Sequence, residues 1–286
     1  MLRGEYADGT FSFKGIAYGA DTSTRRFRAP LPAPRWSGVR DARQFGPPCP
    51  QTSAIDPDSM SEDCLRLNLW TPGLAGSRAR PVLVYFHGGG YSHGAVNEPL
   101  YDGSALSRRG DVVVVTVHHR IGGLGYLYLA DIGGKRYAES GNAGMLDLLL
   151  ALTWVRDNIA AFGGDPARVT IFGQSGGGAK CATLMAMPAA QGLFHGVWTM
   201  SGQQITGRTR SHADETARSV LAALQLSTAR VRELETLPVR QLLQAMRAGV
   251  WTPVLDGRVL PRDPFTPDAP PQSRQIPMVL GNTRNE

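Results

Sequence analysis

Residues 168–180, RVTIFGQSGGGAK, decide the fold. The first six alternate into a β-branched, apolar run of strand length, and the chain then enters a glycine cluster with one serine at its centre. Gly173, Gln174, Ser175, Gly176 and Gly177 spell G-x-S-x-G between that strand and a helical pattern. On so sharp a strand-to-helix turn the serine is forced into an unfavourable backbone conformation, and side chains at the flanking positions would collide where strand and helix meet. Its Oγ is therefore expected to stand out at the carboxyl end of the sheet. The helix behind it directs free N–H groups and a positive dipole end toward any anion formed there. Taken by itself, the pattern also fits a glycine-rich turn with an incidental serine.

The surroundings fit the first reading. Upstream, PVLVYFHGGG and DVVVVTVHH are short valine-rich runs suited to strands buried on both faces of a parallel sheet. A glycine- and tyrosine-rich stretch, RIGGLGYLYLADIGG, reads as a loop. AGMLDLLLALTWVRDNIAAFGGDP then places Leu146, Leu149, Leu150, Leu152, Val155 and Ile159 at helical intervals and stops at a Gly-Gly pair. The helix GGAKCATLMAMP and the strand GVWTMSG continue a β-α-β-α-β order, which predicts an open α/β sheet with helices on both faces. GTFSFKGIAYG and CLRLNLW alternate and predict antiparallel strands added at the sheet edge. Residues 211–247 read as amphipathic helix, followed by a proline-rich loop and a last strand, PMVLGN. Neither an internal repeat nor a linker divides the chain, so residues 1–286 are read as a single domain.

Composition narrows the function. Of 286 residues, 42% are apolar and 19% charged, enough to bury a large core. No window reaches the roughly 18 uninterrupted apolar residues that span a bilayer, and the first ten residues lack the apolar run of an export signal. The net charge of +6 is spread singly among acids, with only Arg25, Arg26 and Arg28 close together, so no nucleic-acid partner is expected. Cys49 and Cys64 flank a short loop that a disulfide would close, a free buried pair being the alternative; Cys181 sits alone in an apolar helical segment. Their spacing fits no zinc site, and no metal or other cofactor is expected.

His87, Gly88, Gly89 and Gly90 follow the strand VLVYF. A glycine run leaves N–H groups free to face a substrate oxygen, as acyl transfer requires where charge develops on the carbonyl. A phosphate cradle is the competing reading, but neither a G-x-x-x-x-G-K-[ST] nor a dinucleotide fingerprint is present.

With these residues in place the chain resembles the type B carboxylesterases, the carboxylesterase/cholinesterase family of the α/β-hydrolase fold. The matching stretches are FKGIAYG, RFRAP, Trp36, SEDCLRLNLWTP, VYFHGGGY, residues 142–180, GLFHGVWTMSG and VLGNTRNE, in the family's order from residue 11 to residue 286. The resemblance implies a serine ester hydrolase acting on a small-molecule carboxylic ester. Its nucleophile is Ser175, its oxyanion hole is Gly89, Gly90 and Gly176, and its triad acid is Glu286. It also implies a Cys49–Cys64 disulfide, and with it a secreted or periplasmic location; unpaired, the cysteines fit the cytoplasm. An alternative within the same fold is a non-catalytic binding module, which has no need of a serine on an elbow. Oligomeric state is not legible.

Two departures qualify the match. Where the family has Glu-Ser-Ala, this chain has Gln174, Ser175 and Gly176, and a neutral amide attracts no ammonium group, which argues against choline esters. The family order is nucleophile, acid, histidine, yet after Ser175 only His195 and His212 occur, both before Glu286. His87, His93, His118 and His119 precede the nucleophile. The expectation is that none of the six is the triad base and that the sequence is a fragment, incomplete at its C-terminus and trimmed at its N-terminus.

Overall fold

A computed structural model describes residues 1–53, 55–76 and 79–286. In chain order the strands are β1 (Leu2–Arg3), β2 (Glu5–Ala7), β3 (Thr10–Ala17), β4 (Arg40–Asp41), β5 (Arg66–Thr71), β6 (Arg80–Phe86), β7 (Val113–Val117), β8 (Gly164–Gln174), β9 (Gly196–Met200) and β10 (Met278–Gly281). The helices are α1 (Ser104–Gly110), α2 (Gly122–Tyr126), α3 (Ala130–Gly133), α4 (Ala143–Asn158), α5 (Gly176–Met185), α6 (Arg210–Ala223) and α7 (Val239–Ala245), with short 3₁₀ turns between them.

Eight strands form one sheet in the order β10-β9-β8-β6-β7-β5-β3-β2. From β10 to β7 every pairing is parallel; β5, β3 and β2 add antiparallel partners at one side. The mostly parallel sheet with antiparallel N-terminal strands is the expected arrangement. β1 and β4 pair separately. All five residues of β7 are buried, as a strand covered on both faces requires. β6 departs from that expectation: Val82, Val84 and Phe86 are buried but Leu83 and Tyr85 are only half-buried, and Trp198 of β9 is exposed, so one face of the sheet is only partly covered from β6 to β9. At the outer edge, β10 leaves Val279 and Leu280 more than half exposed.

The glycine- and tyrosine-rich stretch differs from the expected loop: it contains α2 and α3. A methyl group on Gly125 would stand 2.6 Å from the Arg120 carbonyl oxygen and 3.4 Å from Gly144 Cα. Glycine here serves close packing of α2 onto α4 rather than loosening the backbone. Leu124 and Tyr126 of α2 are buried in the same contact.

α4 carries one acid, Asp147, into the core. Arg120 meets it with Nε on Oδ2 at 2.8 Å and Nη2 on Oδ1 at 2.7 Å, while the Arg120 backbone N–H donates to Oδ2 at 2.9 Å. Burial pushes the Asp147 carboxyl up, and Arg120 opposes that shift. Arg120 Nη1 also holds the Arg28 carbonyl at 2.8 Å, so the pair ties the N-terminal segment to the sheet's central helix. Removing one partner of such a pair leaves a buried charge uncompensated, which costs about 3–5 kcal/mol.

Candidate active site

Strand order places the site. β6 leads through α1 to β7 on one side, whereas β8 leads through α5 to β9 on the other. The connections diverge between β6 and β8, and a crevice opens at the carboxyl ends of those two strands. The glycine run 88–90 leaves β6 into that crevice, and Ser175 leaves β8 into it.

Ser175 occupies the turn between β8 and α5 with φ 54° and ψ −125°, a region that L-residues rarely adopt. Two hydrogen bonds fix it: its N–H donates to the Met200 carbonyl at 2.8 Å, and its own carbonyl accepts from Ala179 N–H at 3.0 Å. Strain of this kind costs on the order of 1–3 kcal/mol and persists only where surrounding structure holds it.

Gly89 and Gly90 have φ of 83° and 59°, left-handed values that turn the glycine run back over the elbow. Their N–H groups donate to no partner among the described residues. Gly176 opens α5, where the first-turn N–H groups have no intrahelical acceptor. A methyl group at residue 176 would lie 2.3 Å from the Gly90 oxygen and 2.5 Å from its N and Cα. The alanine usual in the family's pattern therefore has no room here, and the glycine run sits directly against the helix start.

Ser175, Gly90, Gly176 and Glu286 line one cleft of about 740 Å³, together with Ser201 and Trp251. Glu286 is exposed; hydrogen bonding to Ser201, then to the Thr283 backbone, holds its carboxyl below the usual glutamate range. Thr283 N–H donates to Oε2 at 3.0 Å. Ser201 was not among the sequence expectations. It follows the strand in TMSG and has φ 54°, so a serine just past a strand end, before a glycine, is the signal available for it.

No histidine lines this cleft among the described residues. His87 is buried, shares its Nδ1 with the Gly88 carbonyl at 2.9 Å and stacks on His119 with centroids 4.6 Å apart. His118 Nε2 accepts from Val96 N–H at 2.9 Å, His195 Nδ1 accepts from Val169 N–H at 3.3 Å, and His212 sits in the first turn of α6 with its Nδ1 3.0 Å from the hydroxyl of the capping Thr209. His93 is exposed beside Gly89, its N–H on the Gly89 carbonyl at 3.2 Å.

Behind the site, Lys180 of α5 is fully buried. Its Nζ donates to the His87 carbonyl at 2.9 Å and lies 5.6 Å from the centre of the Tyr91 ring. Burial lowers its pKa to about 7. The Cys49–Cys64 disulfide is present and closes its loop, while Cys181 is free and buried. Gln51, inside that loop, accepts from Gly94 N–H at 2.8 Å and donates to the Gly94 carbonyl at 3.0 Å, which staples the loop to the segment following the glycine run. Among the described residues no helix is long and apolar enough to cross a membrane.

The family model described as the carboxylesterase family matches residues 1–286. The para-nitrobenzyl esterase of Bacillus subtilis is 39% identical over all of this chain and 61% of its own length; the phenmedipham hydrolase of Pseudarthrobacter oxydans is 35% identical over all of this chain and 60% of its own. The crystal structure of a Geobacillus stearothermophilus carboxylesterase superposes with a TM-score of 0.93 at 40% identity, covering all of this chain and 60% of that one. A PNB esterase structure gives 0.92 at 40% identity over 100% and 62%. The chain spans about three fifths of the length of these relatives.

Proposed function

The chain belongs to the carboxylesterase family, and from that premise we propose that it hydrolyses carboxylic esters through an acyl-enzyme on Ser175. The observation that supports the reading is the strained Ser175 in one cleft with Gly90, Gly176 and Glu286, where the Gly90 N–H has no partner among the described residues. Ser175 Oγ attacks the ester carbon while a base takes its proton. The carbonyl oxygen becomes an oxyanion and accepts from the N–H groups of Gly89, Gly90 and Gly176. Each such donor is worth about 10²–10³ in rate, since charge develops there only in the transition state. The intermediate collapses, the alcohol leaves with the base's proton, and water then releases the acid by the same route in reverse.

Glu286 is the triad acid in this proposal: hydrogen bonds from Ser201 and Thr283 favour its anionic form further, the form that orients an imidazole. The imidazole itself is proposed to come from none of the six histidines in these residues. Three are buried and neutral, two are bonded at a strand end and a helix cap, and His93 is exposed beside Gly89 without lining the cleft. The disulfide supports an oxidising compartment.

Hydrolysis of p-nitrophenyl butyrate by the 286-residue chain, with and without added imidazole, tests this. The expected result is a rate near the blank alone and an imidazole-dependent increment that Ser175→Ala removes. Strong turnover without imidazole, lost in Ser175→Ala, would make one of the six histidines the base. No Ser175-dependent hydrolysis in either condition would overturn the function.

A further inference from the structure

Two further cavities adjoin the cleft at Ser175: one of about 60 Å³ shares Ser92, Gly249 and Trp251 with it, and a second of about 690 Å³ shares Gln51, Leu243 and Arg247 with the small one. The disulfide loop walls this outer cavity on one side and α7 with its following residues on the other. The loop side is held by the Gln51 staple to Gly94, which fixes this wall relative to the glycine run.

Charge in the outer cavity is one-sided. α7 turns Leu242, and just past it Met246, into the core, and its opposite face brings Arg240, Leu243 and Arg247 to the groove at helical spacing. Arg240 pairs with Asp58. The acid on the facing wall, Glu62, is consumed by Arg26, which meets it with Nε at 2.7 Å and Nη2 at 2.6 Å. Arg247 lines both the small cavity and the outer cavity, and its guanidinium has no ion pair or hydrogen bond among the described residues. Met60 and Leu243 give the groove an apolar stretch beside it.

We propose that this groove takes an ester whose non-reacting arm is aliphatic and ends in a carboxylate, with Arg247 binding the carboxylate while the ester group lies at Ser175. The proposal rests on the esterase reading for the identity of the reacting group. A guanidinium pairs a carboxylate bidentately, whereas an esterified arm of the same length offers it only neutral acceptors. Because Arg247 is exposed, the discrimination is modest, roughly fivefold in affinity.

Binding is measured by calorimetry on the full chain carrying Ser175→Ala, so that no turnover intervenes, with monomethyl and dimethyl esters of adipic, pimelic and suberic acids. The expected result is that at least one monoester binds about fivefold tighter than its diester, with the gap shrinking in high salt. Adding Arg247→Gln should bring the two within twofold and leave diester affinity unchanged; Arg247→Lys should keep part of the preference. Equal affinities in the parent, a preference that survives Arg247→Gln, or binding of neither ester would each overturn the proposal. These outcomes are independent of catalysis: discrimination without Ser175-dependent hydrolysis in the unsubstituted chain would sink the esterase reading and leave the carboxylate site standing.

Discussion

Lys180→Met should make this protein more stable at pH 7 and leave it no more stable at pH 9. Lys180 is an ammonium with no exposed surface and no carboxylate partner among the described residues; its one hydrogen bond goes to the His87 carbonyl. Burial lowers its pKa from the ordinary 10.5 to about 7, with Cys181 opposing weakly. The unfolded chain therefore binds this proton more tightly than the folded one does. The cost is absent above pH 10.5, grows as pH falls, and is complete below pH 7. At pH 7 the two states differ by about three powers of ten in this equilibrium, so charging Lys180 in the fold costs about 4 kcal/mol; at pH 9 the figure is about 2 kcal/mol. Methionine fills a similar volume without the charge but leaves the His87 carbonyl unpaired, a loss of about 2 kcal/mol that does not depend on pH. Urea denaturation of both proteins at pH 7, 8 and 9 gives the difference directly. The variant should lead by about 2 kcal/mol at pH 7, with the gap closing by about that amount at pH 9. A gap that stays constant across this range would refute the argument, because it would mean that Lys180 binds its proton equally in both states.

Acid should unfold the protein through its buried histidines. Burial holds His87 and His119 well below 6.5 and His118 at about 3, so all three gain protons only on unfolding. Stability is then lost as pH falls below 6.5, by about 4 kcal/mol per unit, and His119→Phe should reduce the proton uptake on unfolding at pH 5 by about one. Reducing the Cys49–Cys64 disulfide, which closes a loop with a sequence separation of 15, should cost about 3 kcal/mol in a denaturant midpoint analysis; an unchanged midpoint would speak against the pairing. Gly176→Ala puts a methyl group 2.3 Å from the Gly90 oxygen and should displace the glycine run. The imidazole-dependent, Ser175-dependent rate should fall about 10²-fold or more, and an unaltered rate would show that Gly90 does not serve as donor.

The elements that create the site were legible because each is dictated locally. The β-branched run before Gly173 and the serine between glycines permit only a strand, a tight turn and a helix, and Ser175 is found at that turn with φ 54°. The valine runs at 82–86 and 113–117 read alike as strands of a covered parallel sheet, yet only 113–117 is buried throughout, while Leu83 and Tyr85 of 82–86 are half-buried because cover of that face depends on tertiary packing. The glycine- and tyrosine-rich stretch misled because glycine has two uses, turning the backbone and admitting a close neighbour, and sequence does not separate them. Gly125 serves the second, against Arg120. Other features exist only through contacts between segments distant in sequence. Ser201 meets Glu286 because β9 and β10 are neighbours, the closeness of Gly90 to Gly176 comes from β6 lying beside β8, and Lys180 is desolvated by residues 87, 91 and 119 from two other strand ends. Arg247 is one arginine among many in the sequence. It becomes a free cation at the end of a groove because Arg26 and Asp58 neutralise the charges around it, and that balance is settled by tertiary packing alone.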